Sequence, residues 1–117
     1  MNGKRVALFA FKGDRSCFVH VLLNALDLQA RGYEVKVVIE GAATGLVPEL
    51  EAADPPLGVL YGRVRDEGLL DCVCQACAHQ HGTLEAAREQ GLGICAEMSG
   101  HPSMGRYMDE GYSVVTF

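Results

Sequence analysis

The stretch Leu69-Leu-Asp-Cys-Val-Cys-Gln-Ala-Cys-Ala-His-Gln-His-Gly82 changes period partway along. Leu69–Val73 fits a short strand, and the residues from Cys74 onward suit a short helical segment. If so, Cys74 stands at the carboxyl end of a strand and the amino end of a helix. The rest of the chain decides whether that strand belongs to a parallel sheet.

Upstream, Arg5–Phe11 (RVALFAF) is a continuous apolar run suited to a strand covered on both faces. Lys12-Gly13-Asp14 is a turn, with Asp14 or Ser16 as the cap of a helix over Cys17–Ala30 that Gly32 ends. Glu34–Ile39 is a second strand, and Glu40-Gly41 closes it. Thr44–Ala53 fits a short helix with Pro48 in its first turn, Asp54-Pro55-Pro56 breaks the chain, and Leu57–Glu67 fits a further helix. Downstream, Thr83–Gln90 is a helix, Leu92–Ala96 a fourth strand, His101–Glu110 a helix with Pro102 near its start, and Tyr112–Phe117 a last strand. Strands alternate with helices throughout. The expected class is α/β: a three-layer α/β/α sandwich around a mostly parallel sheet of four to five strands.

In such sheets the chemistry sits at the carboxyl ends of the strands. Four loops therefore matter: Lys12–Cys17, Glu40–Thr44, Cys74–Gly82 and Glu97–His101. Within the helix after the first strand, the polar residues His20, Asn24, Asp27 and Arg31 form one narrow stripe in an otherwise apolar segment. Either neighbouring helices cover the rest, or a second copy of the chain does.

The 117 residues suffice for a single domain over 1–117, and the chain is 49% hydrophobic and 21% charged, a globular balance. A net charge of −5 argues against nucleic acid and anionic membrane surfaces as partners, since both want a basic patch. No apolar run reaches the roughly 20 residues of a spanning helix. The start lacks a cleavage signature and reads as a first strand. These features together place the protein in the cytoplasm. There, five cysteines, an odd number, point to metal or thiol chemistry before a disulfide framework.

Three of the five cysteines and two of the four histidines lie between Cys72 and His81. A thiol at Cys74 would meet free backbone N–H groups at the start of a helix, which lowers its pKa. Cys77 at i+3 and His81 at i+7 share its face, and His79 points away. A metal reading takes Cys74, Cys77 and His81 as ligands, with Cys72, His79 or His101 as a fourth. The competing reading is a reactive thiol that needs no metal and no organic cofactor. Cys17, Cys72 and Cys95 read as buried packing residues. Lys12, Glu40 and His101 sit at the predicted site edge, as substrate-contacting groups or as ordinary loop residues.

Val73-Cys-Gln-Ala-Cys-Ala-His-Gln-His-Gly82 resembles the V-C-x-x-C-x-x-x-[RK]-G stretch of the DsrE/DsrF-like sulfur-relay family. The similarity extends over almost the whole chain, through Phe11-Lys-Gly-Asp14, Arg31-Gly-Tyr-Glu-Val35, Ile39-Glu-Gly41, Met98-Ser-Gly-His-Pro102 and Glu110-Gly-Tyr112 to Thr116-Phe117. It points to a small cytoplasmic branch. The resemblance implies one α/β/α domain that assembles as a trimer or hexamer. It implies a persulfide carrier that takes sulfane sulfur from a donor protein and passes it to an acceptor. The carrier position maps onto Cys74, with Cys77 as a second thiol. His81 stands where many members have a basic residue. A thiol at Cys74 would attack the outer sulfur of the donor, and Cys77 could instead resolve the persulfide as an internal disulfide.

Overall fold

A computed structural model describes residues 4–117. The first strand, β1 (Arg5–Ala10), is buried from Val6 to Ala10, which accounts for its unbroken apolar run. Helix α1 (Arg15–Ala30) begins at Asp14, whose carboxylate accepts hydrogen bonds from the N–H groups of Ser16 and Cys17. Beyond α1, Gly32 takes the left-handed conformation at φ 94°. Next come β2 (Glu34–Ile39), a 3₁₀ segment (Gly41–Leu46), α2 (Val47–Leu50), α3 (Leu57–Asp66), β3 (Leu70–Cys74) and α4 (Gln75–Gln80). Then follow α5 (Leu84–Glu89), β4 (Ile94–Cys95), α6 (Met104–Asp109) and β5 (Ser113–Thr116).

The five strands form one sheet in the order β4-β3-β2-β1-β5, and every pair is parallel. The α/β class and the layering expected from the sequence therefore hold. The layers are unequal, for a topological reason. From β1 to β4 the chain steps one way across the sheet, and right-handed crossovers keep α1 through α5 on one face. The step from β4 back to β5 runs the other way, so α6 alone lands on the opposite face.

Strand alternation divides the core accordingly. Val6, Leu8, Ala10, Val37, Ile39 and Val73 meet Phe18, Leu22, Leu50, Tyr61 and Val64 on the thick side. Ala7, Phe9, Val38, Cys72 and Cys95 meet Tyr107 and Tyr112 on the thin side. Edge-to-face ring contacts from Tyr107 to Phe9 at 5.4 Å and to Tyr112 at 6.0 Å seal that thin side. Each such pair adds roughly 0.5–1.5 kcal/mol beyond the area it buries.

Three expectations need correction. Thr44–Ala53 is not one helix: the 3₁₀ segment ends in the single α turn of α2, because the Thr44 hydroxyl donates to the Gly41 carbonyl and Pro48 brings no N–H. The last helix starts at Met104, not at His101. The backbone of His101 is paired with that of Met98 in both directions, at 2.8 and 3.0 Å, and the Ser103 hydroxyl caps the helix instead. The fourth strand is only Ile94–Cys95. On α1, Phe18, Val21, Leu22 and Ala25 are buried, while Val19, Leu26 and Leu28 pack against the same core. Leu23 is the large apolar side chain of that helix left exposed, so α1 is covered mainly by its own chain. No helix among the described residues is long and apolar enough to cross a membrane.

Candidate functional site: a two-cysteine, one-histidine cluster

The connections between strands part to opposite faces at one place. After β3 the chain turns to α4 on the thick face, and after β4 it turns to α6 on the thin face. Adjacent strands whose connections diverge leave a cleft at their carboxyl ends. Cys74 ends β3 and is the register partner of Cys95 in β4, so it stands where the two connections part.

Cys74 is extended (φ −63°, ψ 121°) and caps α4, with its sulfur accepting the Cys77 N–H at 3.4 Å. The loop after β4 supplies the third group. Ser99 (φ 52°) and Gly100 (φ 93°) both lie in the left-handed region, the geometry of a two-residue turn that pairs Met98 with His101. A glycine is required at 100: a Cβ there would meet the Ala76 Cβ at 3.2 Å, and the Gly100 carbonyl accepts the Ala76 N–H at 2.9 Å. The turn thus docks on the start of α4 and lowers His101 onto the thiols. His101 Nδ1 lies 3.2 Å from Cys74 Sγ and 3.8 Å from Cys77 Sγ. Glu40, at the end of β2 beside β3, places Oε2 3.8 Å from that same nitrogen.

All three partners face one ring nitrogen. A hydrolase-type relay needs the carboxylate on one nitrogen of the ring and the nucleophile on the other. This arrangement therefore suits a shared proton or cation at Nδ1. The electrostatics departs from the sequence expectation. Cys74 is fully buried, and burial pushes its thiol up, to about 12, with the Cys77 sulfur and the Glu40 carboxylate adding to the rise. The Cys77 N–H opposes this, but α4 has only six residues and its dipole does not outweigh desolvation. The low-pKa thiol expected at Cys74 is thus a neutral thiol in the resting fold. Burial also raises the Glu40 carboxyl, while His101 pulls it down.

His81 is the second correction. The i, i+3, i+7 face assumed a helix running from Cys74, but Cys74 lies outside it and α4 ends at Gln80. His81 is an exposed C-cap whose ring lies over the 3₁₀ segment, 3.6 Å from where a Gly45 side chain would begin. The thiol pair is joined by His101, and the ligand set Cys74, Cys77 and His81 is not assembled. His79 is exposed. Lys12 is exposed in the turn after β1, and among the described residues no hydrogen bond or ion pair joins it to the cluster. Cys17 is half-buried at the start of α1.

Cys72 and Cys95 are buried as expected but are not free thiols: they form a disulfide across β3 and β4, with Cα atoms 5.6 Å apart. Parallel pairing of two short strands brings them together, which no local spacing signals. Beside the bridge, the Tyr107 hydroxyl donates to Asp71 and lies 3.5 Å from the Cys72 sulfur. Burial and the Asp71 carboxylate push that phenol well above its usual range. Arg106 stacks over the Tyr107 ring at 4.3 Å and donates to Glu97 at 2.6 Å. This network fastens α6 to β3 and to the loop that carries His101.

No protein-family model matches the chain. An uncharacterized protein of Methanocaldococcus jannaschii, MJ0733, is 32% identical over 97 residues, which cover 83% of this chain and 77% of that protein. An uncharacterized protein of Archaeoglobus fulgidus is 46% identical over 44 residues, 38% of this chain and 72% of the relative. Among solved structures, a conserved protein of unknown function from Bacteroides thetaiotaomicron, BT1422, superposes with a TM-score of 0.74 at 15% identity, over 97% of this chain and 95% of that one. That likeness is one of fold. At the identity and coverage it shares with MJ0733, the chain belongs to the same family as that Methanocaldococcus jannaschii protein.

Proposed function

We propose that this is a sulfur-relay protein of the DsrE/DsrF-like type, acting in the cytoplasm, with Cys74 as the carrier of sulfane sulfur. The observation that supports this most is the contact of Cys74 Sγ with His101 Nδ1 at 3.2 Å, where the connections after β3 and β4 part. The resemblance of Val73–Gly82 to the sulfur-relay stretch supports it independently. A neutral thiol needs a base before it can attack, and His101 is the base within reach. In the loading step the Cys74 thiol gives its proton to His101, and its sulfur bonds to the outer sulfur of a donor persulfide. The donor's S–S bond breaks, and the proton passes to the departing donor thiolate. Cys74–SH and R–S–SH become Cys74–S–SH and R–SH. Transfer to an acceptor thiol is the same exchange in reverse. Enclosure of Cys74 shields the loaded sulfur from stray thiols. Glu40 holds charge opposite His101 in this scheme. Assembly into three or six copies, and docking of donor and acceptor proteins, belong to the same proposal.

Polysulfide loading followed by alkylation and intact mass measurement tests it. One added sulfur, mapped to Cys74 and removed by reductant, is expected for the wild type and for His81→Ala. Loss is expected in Cys74→Ser, and slower loading in His101→Ala. Unchanged loading in Cys74→Ser would sink the reading.

A further inference from the structure

We propose that Cys74, Cys77 and His101 also form a site for a borderline-soft divalent cation of the zinc class, with a fourth position open. The inference stands on geometry and does not need the sulfur chemistry. Tetrahedral zinc at the usual bond lengths holds two thiolates about 3.8 Å apart and a thiolate and an imidazole nitrogen about 3.5 Å apart. Here the two sulfur-to-nitrogen distances are 3.2 and 3.8 Å, on either side of that figure, and all three donor atoms lie within 4.8 Å of one another. Shifts of a few tenths of an ångström would bring both sulfur-to-nitrogen distances to the zinc value, and the sulfurs need close by no more than about 1 Å.

The donor chemistry narrows the ion. Two sulfurs and an imidazole suit zinc and its soft neighbours, whereas magnesium and calcium take oxygen. Charge balance favours binding too. A lone thiolate at buried Cys74 is costly, but two thiolates with a dication are neutral as a unit. The outer shell is in place: the Cys77 N–H points at the Cys74 sulfur, and the Gly100 carbonyl holds the turn that carries His101. Glu40 Oε2, 3.8 Å from the ligating nitrogen, could approach the fourth position, otherwise filled by water. With three protein ligands, the ion would keep an exchangeable site. The same ion would occupy both thiols, so metal binding and sulfur loading exclude each other.

The experiment uses the full-length, reduced, metal-free protein titrated anaerobically with cobalt(II) and then with zinc(II) in competition. Thiolate-to-cobalt charge-transfer absorption should rise to one ion per chain and collapse on adding zinc. Cys77→Ser and His101→Gln should weaken binding by at least about a hundredfold, since losing even an outer-shell partner costs 10- to 100-fold. His101 is half-exposed, so its replacement should leave the fold intact, as circular dichroism would verify. His81→Ala should bind like the wild type. Absence of a thiolate band, or equal binding in His101→Gln and the wild type, would overturn the site. Sulfur loading measured in chelator keeps the two proposals separate. Loading without cobalt binding defeats this inference alone, and cobalt binding without loading defeats only the sulfur reading.

Discussion

Gly93→Ala should loosen the strand pair that holds the cluster together. Gly93 precedes β4 and accepts the Val73 N–H at 2.8 Å. A Cβ at this position would sit 2.5 Å from the Asp71 carbonyl oxygen, a backbone atom that cannot swing aside. Relieving the overlap even to a tight 3.0 Å means parting the chains by about 0.5 Å, which stretches that hydrogen bond to the limit of its useful range. Overpacking of this kind costs about 1–3 kcal/mol, and the weakened hydrogen bond about 0.5–1.5 kcal/mol. Alanine offsets about 0.4–1 kcal/mol by restricting the unfolded chain. The net loss is on the order of 1–3 kcal/mol, a fall in Tm of several degrees for a chain of this size. Gly62→Ala in α3 is the matched control: its Cβ would meet nothing nearer than Arg65 Nη2 at 3.8 Å, so helix propensity alone should raise stability by roughly 0.5–1 kcal/mol. Thermal melts of the two variants against the wild type decide the matter. If Gly93→Ala melts with or above Gly62→Ala, the close approach of β4 to β3 is wrong, and with it the placement of His101.

Reducing the Cys72–Cys95 bridge, which spans 23 residues, should cost about 3 kcal/mol by loop-closure entropy, read as a lower urea midpoint with reductant and abolished in Cys95→Ser. Alkali should unfold the protein early. Cys74 rises from 9.0, and Tyr61 and Tyr112 from 10.0, each to about 12, chiefly by burial, so the fold favours their neutral forms. That stability is fully present below pH 9 and is lost as pH climbs toward 12, so a urea midpoint unchanged between pH 8 and 11 would refute the buried placement. Glu40→Gln should stabilise slightly at pH 8, by less than about 1 kcal/mol, because a raised carboxyl is least at home when ionised; the gain should vanish in acid, where the wild-type carboxyl is protonated.

Periodicity alone determined the α/β class. Arg5–Phe11 is apolar from Val6 onward because both sheet faces are covered, and the apolar ends of Glu34–Ile39 and Leu69–Val73 are buried for the same reason. Cys74 at a strand-to-helix junction and Cys77 one turn later were equally legible, since both depend on neighbours a few residues away. The helical spacing that places Cys77 beside Cys74 fails for His81. Spacing along a helix locates a partner only while the helix continues, and α4 stops at Gln80. What only the tertiary structure decided has long sequence separation. Placing β4 beside β3 brings Cys95 to Cys72, and the left-handed turn at Ser99 and Gly100 sets His101 over the two thiols. The acidity of Cys74 belongs to that level as well, because desolvation by the packed strands outweighs the local N–H contact that the sequence could foresee.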